Sequence, residues 1–394
     1  MKQGWKLCKL EDVCDFQNGF AFKSTSFTKE GEPIIRISDI QNGEIDDNNV
    51  VYFNPASYKE DLSRFLVFPN DILIAMSGGT TGKIGVNTTG KTFYLNQRVG
   101  VLREKAGLNH YYLYYYLITK SEESLRIADG AAQPNLSTSQ IKSFIIPVPP
   151  LSEQQRIVDI LDAEFAKIDA LKENAEKNLQ NAKLLFEALL KHTYSIKTGW
   201  VPKTIDETCD FQNGFAFKSN LFSSEGEPII RISDIQNDEV VDDDVVFFNP
   251  MSYNENLSRY KVYPDDILIA MSGGTTGKIG LNKTGKTFYL NQRVGILREK
   301  KNVLDHMFLF YYLKTKSEES LKISAGAAQP NLSTAQIKSF IIPVPNLVEQ
   351  KSTVQRLEAL GERCKSLRSN SEKTVVLCND LKQALLRKAF NGEL

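Results

Sequence analysis

Histidine is scarce in this chain, three in 394 residues, and tryptophan scarcer still with two. With only His110, His192 and His306 available, catalysis or metal binding centred on imidazole is poorly supplied. The five cysteines are odd in number and show no CxxC spacing, which argues for reduced thiols and against a zinc cluster or a disulfide framework. No run of about 18 apolar residues occurs, so no membrane-crossing helix is expected. The start MKQGWKLCKL lacks the apolar core of a signal peptide, and a cytoplasmic location is the default expectation. Net charge is missing too, with 48 basic against 48 acidic residues. That disfavours a non-specific DNA coater, which gains affinity by neutralising phosphates, while leaving room for local basic patches. Apolar content of 41% and charged content of 24% are those of an ordinary globular protein.

What the chain has in abundance is repetition. CDFQNGFAFKS at 14–24 returns at 209–219, and EPIIRISDIQN, DILIAMSGGTTGKIG, TGKTFYLNQRVG and AAQPNLST each recur in the same order. The offset is 195 residues up to Lys105 and 196 from Ser121 onward. A period this long describes two whole domains of about 195 residues, each large enough for its own core, and not a solenoid of short units.

Each copy splits into a β-rich part and a helical part, an α+β pattern. In the first copy, strand-like runs stand at Pro33 to Ile40, Val50 to Phe53, Asp71 to Met76, Thr92 to Leu95 and Val99 to Leu102, punctuated by Gly, Asn and Pro. Short helices are predicted at His110 to Thr119 and Ser121 to Ala128. A third opens at Ser137, where Ser137 with Gln140, and Ser333 with Gln336, have capping-box spacing. The β-rich parts close on IIPVPP at 145–150 and IIPVPN at 341–346.

From Leu151 to about Tyr194 the chain reads as one helix without Pro or Gly, opened by Ser152 and Gln155 at capping-box spacing. Alternate steps of four and three from Ile157 give Leu161, Glu164, Ile168, Leu171, Ala175, Asn178, Ala182, Leu185 and Leu189. The shifted set in the second copy is Thr353, Leu357, Leu360, Cys364, Leu367, Ser371, Thr374, Cys378, Leu381 and Leu385. Each is a heptad seam in need of a partner; the reading is an antiparallel coiled coil of about 60 Å within one chain, the alternative being that each helix packs on a different subunit. Cys364 and Cys378 read as small core residues, and Gly361 as a weak spot costing about 1 kcal/mol relative to Ala.

The loop SGGTTGKIG, at 77–85 and 272–280, departs from a Walker A motif: Ser77 stands at the first glycine position, and Ile84 follows Lys83 in place of Ser or Thr. Nucleotide hydrolysis is therefore disfavoured. Two readings stay open, a glycine-rich hairpin turn and an anion-binding concavity of Gly and Thr amides beside a lysine that meets a nucleic-acid backbone. NPASY at 54 and NPMSY at 249 resemble the [DN]PP[YF] motif of amino-methyltransferases but lack the second proline, and no FxGxG cofactor loop occurs, so a turn is expected. No Ser-His-Asp set, paired-carboxylate site or metal cluster presents itself. Asp46 with Asp47, and Asp242 to Asp244, read as solvated loops.

Other polar segments have the chemistry of DNA readers, since Arg, Asn and Gln can make paired bonds to base edges while Lys, Ser and Thr serve phosphates. In the first copy the candidates are Lys23, Ser24, Arg36 and Ser38, then Ser77, Gly78, Gly79, Thr80, Thr81 and Lys83 of the loop, then Asn96, Gln97 and Arg98, and finally Gln133 and Asn135. In the second they are Lys218, Ser219, Arg231 and Ser233, then Ser272, Gly273, Gly274, Thr275, Thr276 and Lys278, then Asn291, Gln292 and Arg293, and finally Gln329 and Asn331.

Taken in order and in duplicate, the SGGTTGKIG loop, the NQRVGxLRE strand, the GAAQPNLS segment and the IIPVP exit into a long helix resemble the specificity subunit of type I restriction-modification systems. PPLSEQQRIVDILD at 149–162 and LLRKAFNGEL at 385–394 look like that family's usual borders. The resemblance covers essentially the whole chain. It implies target-recognition domains at 1–149 and 198–345, followed by a central helix at 150–197 and a C-terminal helix at 346–394. It also implies no catalysis and no cofactor in this chain, which would bind double-stranded DNA and direct two modification subunits carrying S-adenosylmethionine and two ATP-dependent restriction subunits.

Between 14 and 105, 72 of 92 positions match the second copy, so both domains should read nearly the same short sequence. Antiparallel helices would turn the half-sites into inverted repeats about one helical turn, 10 to 10.5 base pairs, apart. The copies differ at 25–29, 43–49, 56, 59, 61, 65, 66, 68 and 70, where any asymmetry of the target would originate. The competing functions are a coiled-coil scaffold with repeated protein-binding domains and an enzyme, either a DNA methyltransferase or an NTPase.

Overall fold

The computed structural model describes residues 4–129, 135–195, 197–325 and 331–394. Two compact units divide the chain: residues 1–175 together with 373–394, and residues 176–372.

In the first unit the elements run β1 (Lys6–Lys9), α1 (Leu10–Val13), β2 (Cys14–Asn18), β3 (Phe27–Thr28), β4 (Glu32–Ile35), β5 (Ile40–Gln41), β6 (Glu44–Ile45), β7 (Val51–Phe53), β8 (Leu66–Val67), β9 (Ile72–Ala75), β10 (Ile84–Val86), β11 (Phe93–Leu95) and β12 (Val99–Glu104). Helices α2 (His110–Thr119), α3 (Ser121–Asp129) and α4 (Thr138–Lys142), then strand β13 (Ile145–Val148), lead into α5 (Leu151–Thr193). One sheet has the order β2-β12-β9-β10-β6-β5, a second β3-β7-β4-β11-β8, and β1 pairs with β13. The strand expected over Pro33 to Ile40 is broken after Ile35, because the Asp39 carboxylate accepts the Arg36 amide at 2.9 Å and closes a turn at Ile37–Asp39.

Strand β9 shows why the pattern ILIA is apolar throughout. Leu73 and Ala75 pack between the two sheets with Ile35, Phe93 and Val101, while Ile72 and Ile74 face α2, α4, Ile157 and Leu161 of α5, and Leu386. A strand covered on both faces loses its polar alternation. Beyond the five-stranded sheet, Phe20, Phe22, Phe53, Tyr58 and Tyr94 form an aromatic cluster of mainly edge-on contacts, with ring centroids 4.6–6.4 Å apart.

The second unit repeats the plan: its sheets pair in the same order and register. Its helices are α6 (Ile205–Thr208), α7 (His306–Thr315), α8 (Ser317–Ala325), α9 (Thr334–Lys338) and α10 (Leu347–Asn391). Ser137 and Ser333 cap α4 and α9 with Gln140 and Gln336 in reciprocal capping boxes.

The long helices pair antiparallel within each unit. In the first, Lys382 bonds Asp169 at 2.6 Å and Lys172 bonds Asn379 at 3.2 Å, so one chain number falls as the other rises. In the second, Phe186, Leu189 and Leu190 pack with Val354 and Leu357. On α5 the seam departs from the expected one at Leu171, Asn178 and Leu185. Ile157, Leu161, Ile168, Ala175 and Ala182 are buried, but Leu171 is 53% and Leu185 63% exposed. Phe165, Lys172, Leu179 and Phe186, one residue later than Glu164, Leu171, Asn178 and Leu185, are the ones turned inward. On α10 the same shift leaves Leu360, Leu367 and Leu381 exposed, while Leu357 and Cys378 are buried and Leu385 half-buried. Gly361 seats the Phe186 ring, since a Cβ there would lie 3.3 Å from it. Its helical cost is coupled to that contact.

The start of α5 is also corrected. Ser152 lies inside the first turn, and the amides of Glu153 and Gln154 bond the Pro150 carbonyl at 2.9 and 3.0 Å. The buried group is Gln154, which donates to Pro149 and Gly107 carbonyls and accepts the Asn109 amide at 2.7 Å. Gln350 does the same with Pro345, Val303 and Asp305. A fully satisfied buried amide fixes the helix against the domain that precedes it.

Candidate nucleic-acid interface

Three separated segments of the first unit meet along one edge. The Met76 amide bonds the Arg98 carbonyl at 2.9 Å, the Leu136 amide bonds the Met76 carbonyl at 2.8 Å, and Ser77 bridges Asn135. Phe20 bridges Asn96, the Gln97 amide bonds the Phe20 carbonyl at 2.8 Å, and the Asn18 side chain donates to Thr138 at 2.8 Å. Gly19 is required there: a Cβ would meet the Asn96 carbonyl oxygen at 2.2 Å. The second unit reproduces the edge through Met271, Arg293, Leu332, Phe215, Gln292, and Asn213 with Thr334.

Of the candidates in the first unit, Lys23, Ser24, Gly79, Lys83, Gln97, Arg98 and Asn135 are exposed; Gln97, Arg98 and Asn135 stand on this edge, whereas Lys83 lines a groove with Gly43 and Tyr114. In the second unit Lys218, Ser219, Gly274, Lys278, Gln292, Arg293 and Asn331 are exposed. Lys23 is anchored by its amide on Tyr58 Oη at 3.1 Å, and Lys218 by Tyr253 at 2.9 Å. Gln133 and Gln329 lie outside the described residues.

Several candidates turn inward instead. The Arg36 guanidinium pairs with the buried Asp39 at 3.3 Å and donates to the Asn49 carbonyl at 2.9 Å, and Ser38 donates to Asp39 at 2.8 Å. Arg231 and Ser233 are likewise held by Asp234 and the Asp244 carbonyl. These groups build a turn, and their main hydrogen bonds are made within it. Asn96 and Asn291 accept the amides of Arg98 and Arg293, bracing the turn from within.

The glycine loop turns as a hairpin. Thr81 and Thr276 are buried and donate to the Gly78 and Gly273 carbonyls at 2.7 Å. The Thr81, Gly82 and Lys83 amides are bonded to Gly78, Ala75 and Thr80, so they cannot form a phosphate nest. Ser77 is buried, Ser272 half-buried, and the short turns Gly78–Thr80 and Gly273–Thr275 carry Thr80 and Thr275 half-buried. Gly82 has φ of +82°, and a Cβ would meet the Ser121 carbonyl oxygen at 2.6 Å, which packs the loop on α3. The loop is thus a hairpin that projects Gly79 and Lys83. Asn54 and Asn249 cap the turns of NPASY and NPMSY, accepting the amides of Ala56 and Met251 at 3.0 Å. Asp47 and Asp242 pair with Lys91 and Lys286 at 2.7 and 2.6 Å.

Sequence reasoning missed Asn18, Asn213, Gln154 and Gln350, although their recurrence in both copies was a visible signal. It also gave no weight to Arg64, whose carbonyl accepts the Gln17 side chain next to Asn18. Among the described residues no group of three or more His, Cys, Asp or Glu could hold a metal ion, and no helix is long and apolar enough to cross a membrane.

Two copies of one β-rich domain, each with a rigid polar edge and each followed by a long helix, define a tandem macromolecule-binding subunit. The family model for the type I restriction modification DNA specificity domain matches the chain twice, at residues 2–181 and 197–375. The specificity subunit of the type I restriction enzyme EcoBI of Escherichia coli is 24% identical over 99% of this chain and 86% of that protein. The EcoKI specificity subunit of Escherichia coli K12 is 25% identical over 100% and 90%. Among solved structures, a chain from work on assembly and conformational transition of the type I R-M system covers 100% of this one and 99% of itself at TM-score 0.81 and 19% identity. The HsdS subunit from Thermoanaerobacter tengcongensis matches over 100% and 98% at TM-score 0.63 and 20% identity. This chain belongs to the type I restriction-modification DNA specificity family, whose members are DNA-recognition components.

Proposed function

We propose that the chain reads a bipartite, near-palindromic DNA site, one half with each unit, and recruits to it two modification subunits and two restriction subunits. The observation that carries this is the exposed polar set of Gln97, Arg98 and Asn135 on one edge, with the exposed Lys23 and Lys83, which recurs residue for residue in the second unit. Lysines and arginines supply the phosphate contacts that set affinity, while Gln97, Arg98 and Asn135 offer paired bonds to base edges. In each unit a β-rich domain packs on the first half of its own helix and the last half of the other, so the two readers are equivalent parts in exchanged roles. That exchange supports half-sites in inverted orientation.

The subunit itself catalyses nothing in this reading. S-adenosylmethionine and ATP act on the modification and restriction subunits, and the assembly works in the cytoplasm. The test is the methylated motif in DNA from cells expressing this chain with its modification subunit. A split motif with related inverted halves is the expected result. Methylation without base preference, or binding that ignores sequence, would favour a protein scaffold.

A further inference from the structure

Resting on that reading, the two half-sites need not be identical, and the structure indicates where they diverge. Across the aligned stretch the edge residues are the same in both units, so a difference in reading must come from the positions that vary. Eight of the twenty are set aside on their surroundings. Ile45, Val86 and Val101 are buried and exchange only with Val240, Leu281 and Ile296. Asn70 and Asp265 share a left-handed backbone at φ of 67° and 66°, a conformation both tolerate. Asp238, in place of Gly43, pairs with Lys314 at 2.7 Å, and Lys283, in place of Thr88, with Glu239 at 3.3 Å. Asn48 and Asn49 become the exposed acids Asp243 and Asp244, a change of two charges that weakens phosphate attraction without offering a donor to a base.

The segment from Tyr58 to Arg64 is different. It crosses the aromatic cluster and joins the edge at both ends: Tyr58 Oη accepts the Lys23 amide, and the Arg64 carbonyl accepts the Gln17 side chain beside Asn18. Two exposed side chains on it change between the copies, Lys59 to Asn254 and Asp61 to Asn256. The turn itself is preserved. Asp61 Oδ1 accepts the Ser63 amide at 2.9 Å and Asn256 Oδ1 accepts the Ser258 amide at 3.0 Å. With one oxygen held the same way, the outer atom of the side chain reverses polarity: Asp61 can only accept, whereas Asn256 presents an amide donor. The adjacent residue exchanges a cationic donor, Lys59, for an amide, Asn254, that can also accept.

We propose that Lys59 with Asp61, and Asn254 with Asn256, are the residues that make the two half-sites differ, by one or two adjacent base pairs on the flank that faces this loop. In the major groove an acceptor beside a lysine suits a cytosine N4 amino group next to a guanine, while paired asparagine amides suit adenine. The half-site of the first unit is then G·C where that of the second is A·T. Because Lys59 and Asp61 together carry no net charge, and neither do the two asparagines, the exchange alters base preference without altering phosphate attraction.

The test uses the full chain expressed with its modification subunit, with the methylated motif read by sequencing. The wild type should show inverted halves that differ at one flank. K59N with D61N should turn the motif into a perfect inverted repeat, and N254K with N256D should do so with the other half-site, each shifting preference at that base pair by about 10- to 100-fold. A wild-type motif with identical halves, or swaps that leave it unchanged, overturns the proposal while leaving bipartite recognition standing. Swaps that abolish methylation with unchanged melting also overturn it, since the loop is then required but does not discriminate. A wild type without any sequence-dependent methylation overturns the reading of the function, and this one with it.

Discussion

Replacing Arg98 and Arg293 by alanine should weaken DNA binding and spare the fold, whereas replacing Arg36 and Arg231 should do the reverse. Arg98 and Arg293 are exposed on turns whose bracing comes from the backbone and from Asn96 and Asn291, so their guanidiniums contribute nothing visible to packing among the described residues. Loss of one paired base contact per half-site costs about 1–3 kcal/mol each and relaxes the preference at that base pair. Arg36 is another matter, because its loss leaves Asp39, 3% exposed, with only Ser38 and the Arg36 amide. Breaking a buried pair costs 3–5 kcal/mol, and the guanidinium is about a third open to solvent, so about 3 kcal/mol per unit is the working figure. For a unit of this size that is a fall in melting temperature of about 6–12 °C. The assays are thermal melting and titration of a methylation-site duplex, with the modification subunit present, at several salt concentrations. If R98A/R293A melts early, or binds with unchanged affinity and base preference, or if R36A leaves melting intact, the division into readers and braces is wrong.

Inserting seven residues into each long helix, after Ala175 and after Glu372, adds about 10 Å of helix, and the spacer between half-sites should lengthen by about three base pairs if helix length sets it; an unchanged methylation motif refutes that dependence. Burial pushes the Cys14 thiol up to about 12 and that of Cys209 up to about 11, so at pH 8 less than about one in a thousand is thiolate. Native protein should leave both unlabelled by iodoacetamide, with full labelling after unfolding, as read by mass spectrometry. Their protonated forms favour the fold, a contribution complete below the ordinary thiol range near 9 and lost as pH rises toward the raised values. The hydrogen bond from His306 Nδ1 to Glu299, 3.0 Å long, raises the imidazole pKa against partial burial and lowers that of the carboxyl. The imidazole's contribution is fully present below its ordinary value near 6.5 and fades as pH rises through the raised one. Glu299→Gln should move the His306 titration to lower pH by NMR, and an unmoved titration would assign the shift elsewhere.

Sequence alone determined the duplication, the two long helices, the ends of α2 and the capping boxes at Ser137 and Ser333, because these depend on local bonds and on spacing along one chain. It also supplied the family, since motifs in fixed order are a linear property. The three-dimensional contacts decided what was locally degenerate. Leu171 and Lys172 flank the same helical stripe, and a leucine there looks buried by composition; only the partner helix, with Asn379 placed to meet Lys172 and Lys382 placed over the Phe165 ring and against Asp169, selects the row holding Phe165 and Lys172. Arg36 and Arg98 are equally polar in sequence. Asp39 folded back onto its own turn engages the first, while Asn96 braces the backbone and leaves the second free. Whether a side chain is a brace or a reader depends on which neighbours its backbone brings within 3 Å, and those neighbours come from distant segments as well as adjacent ones.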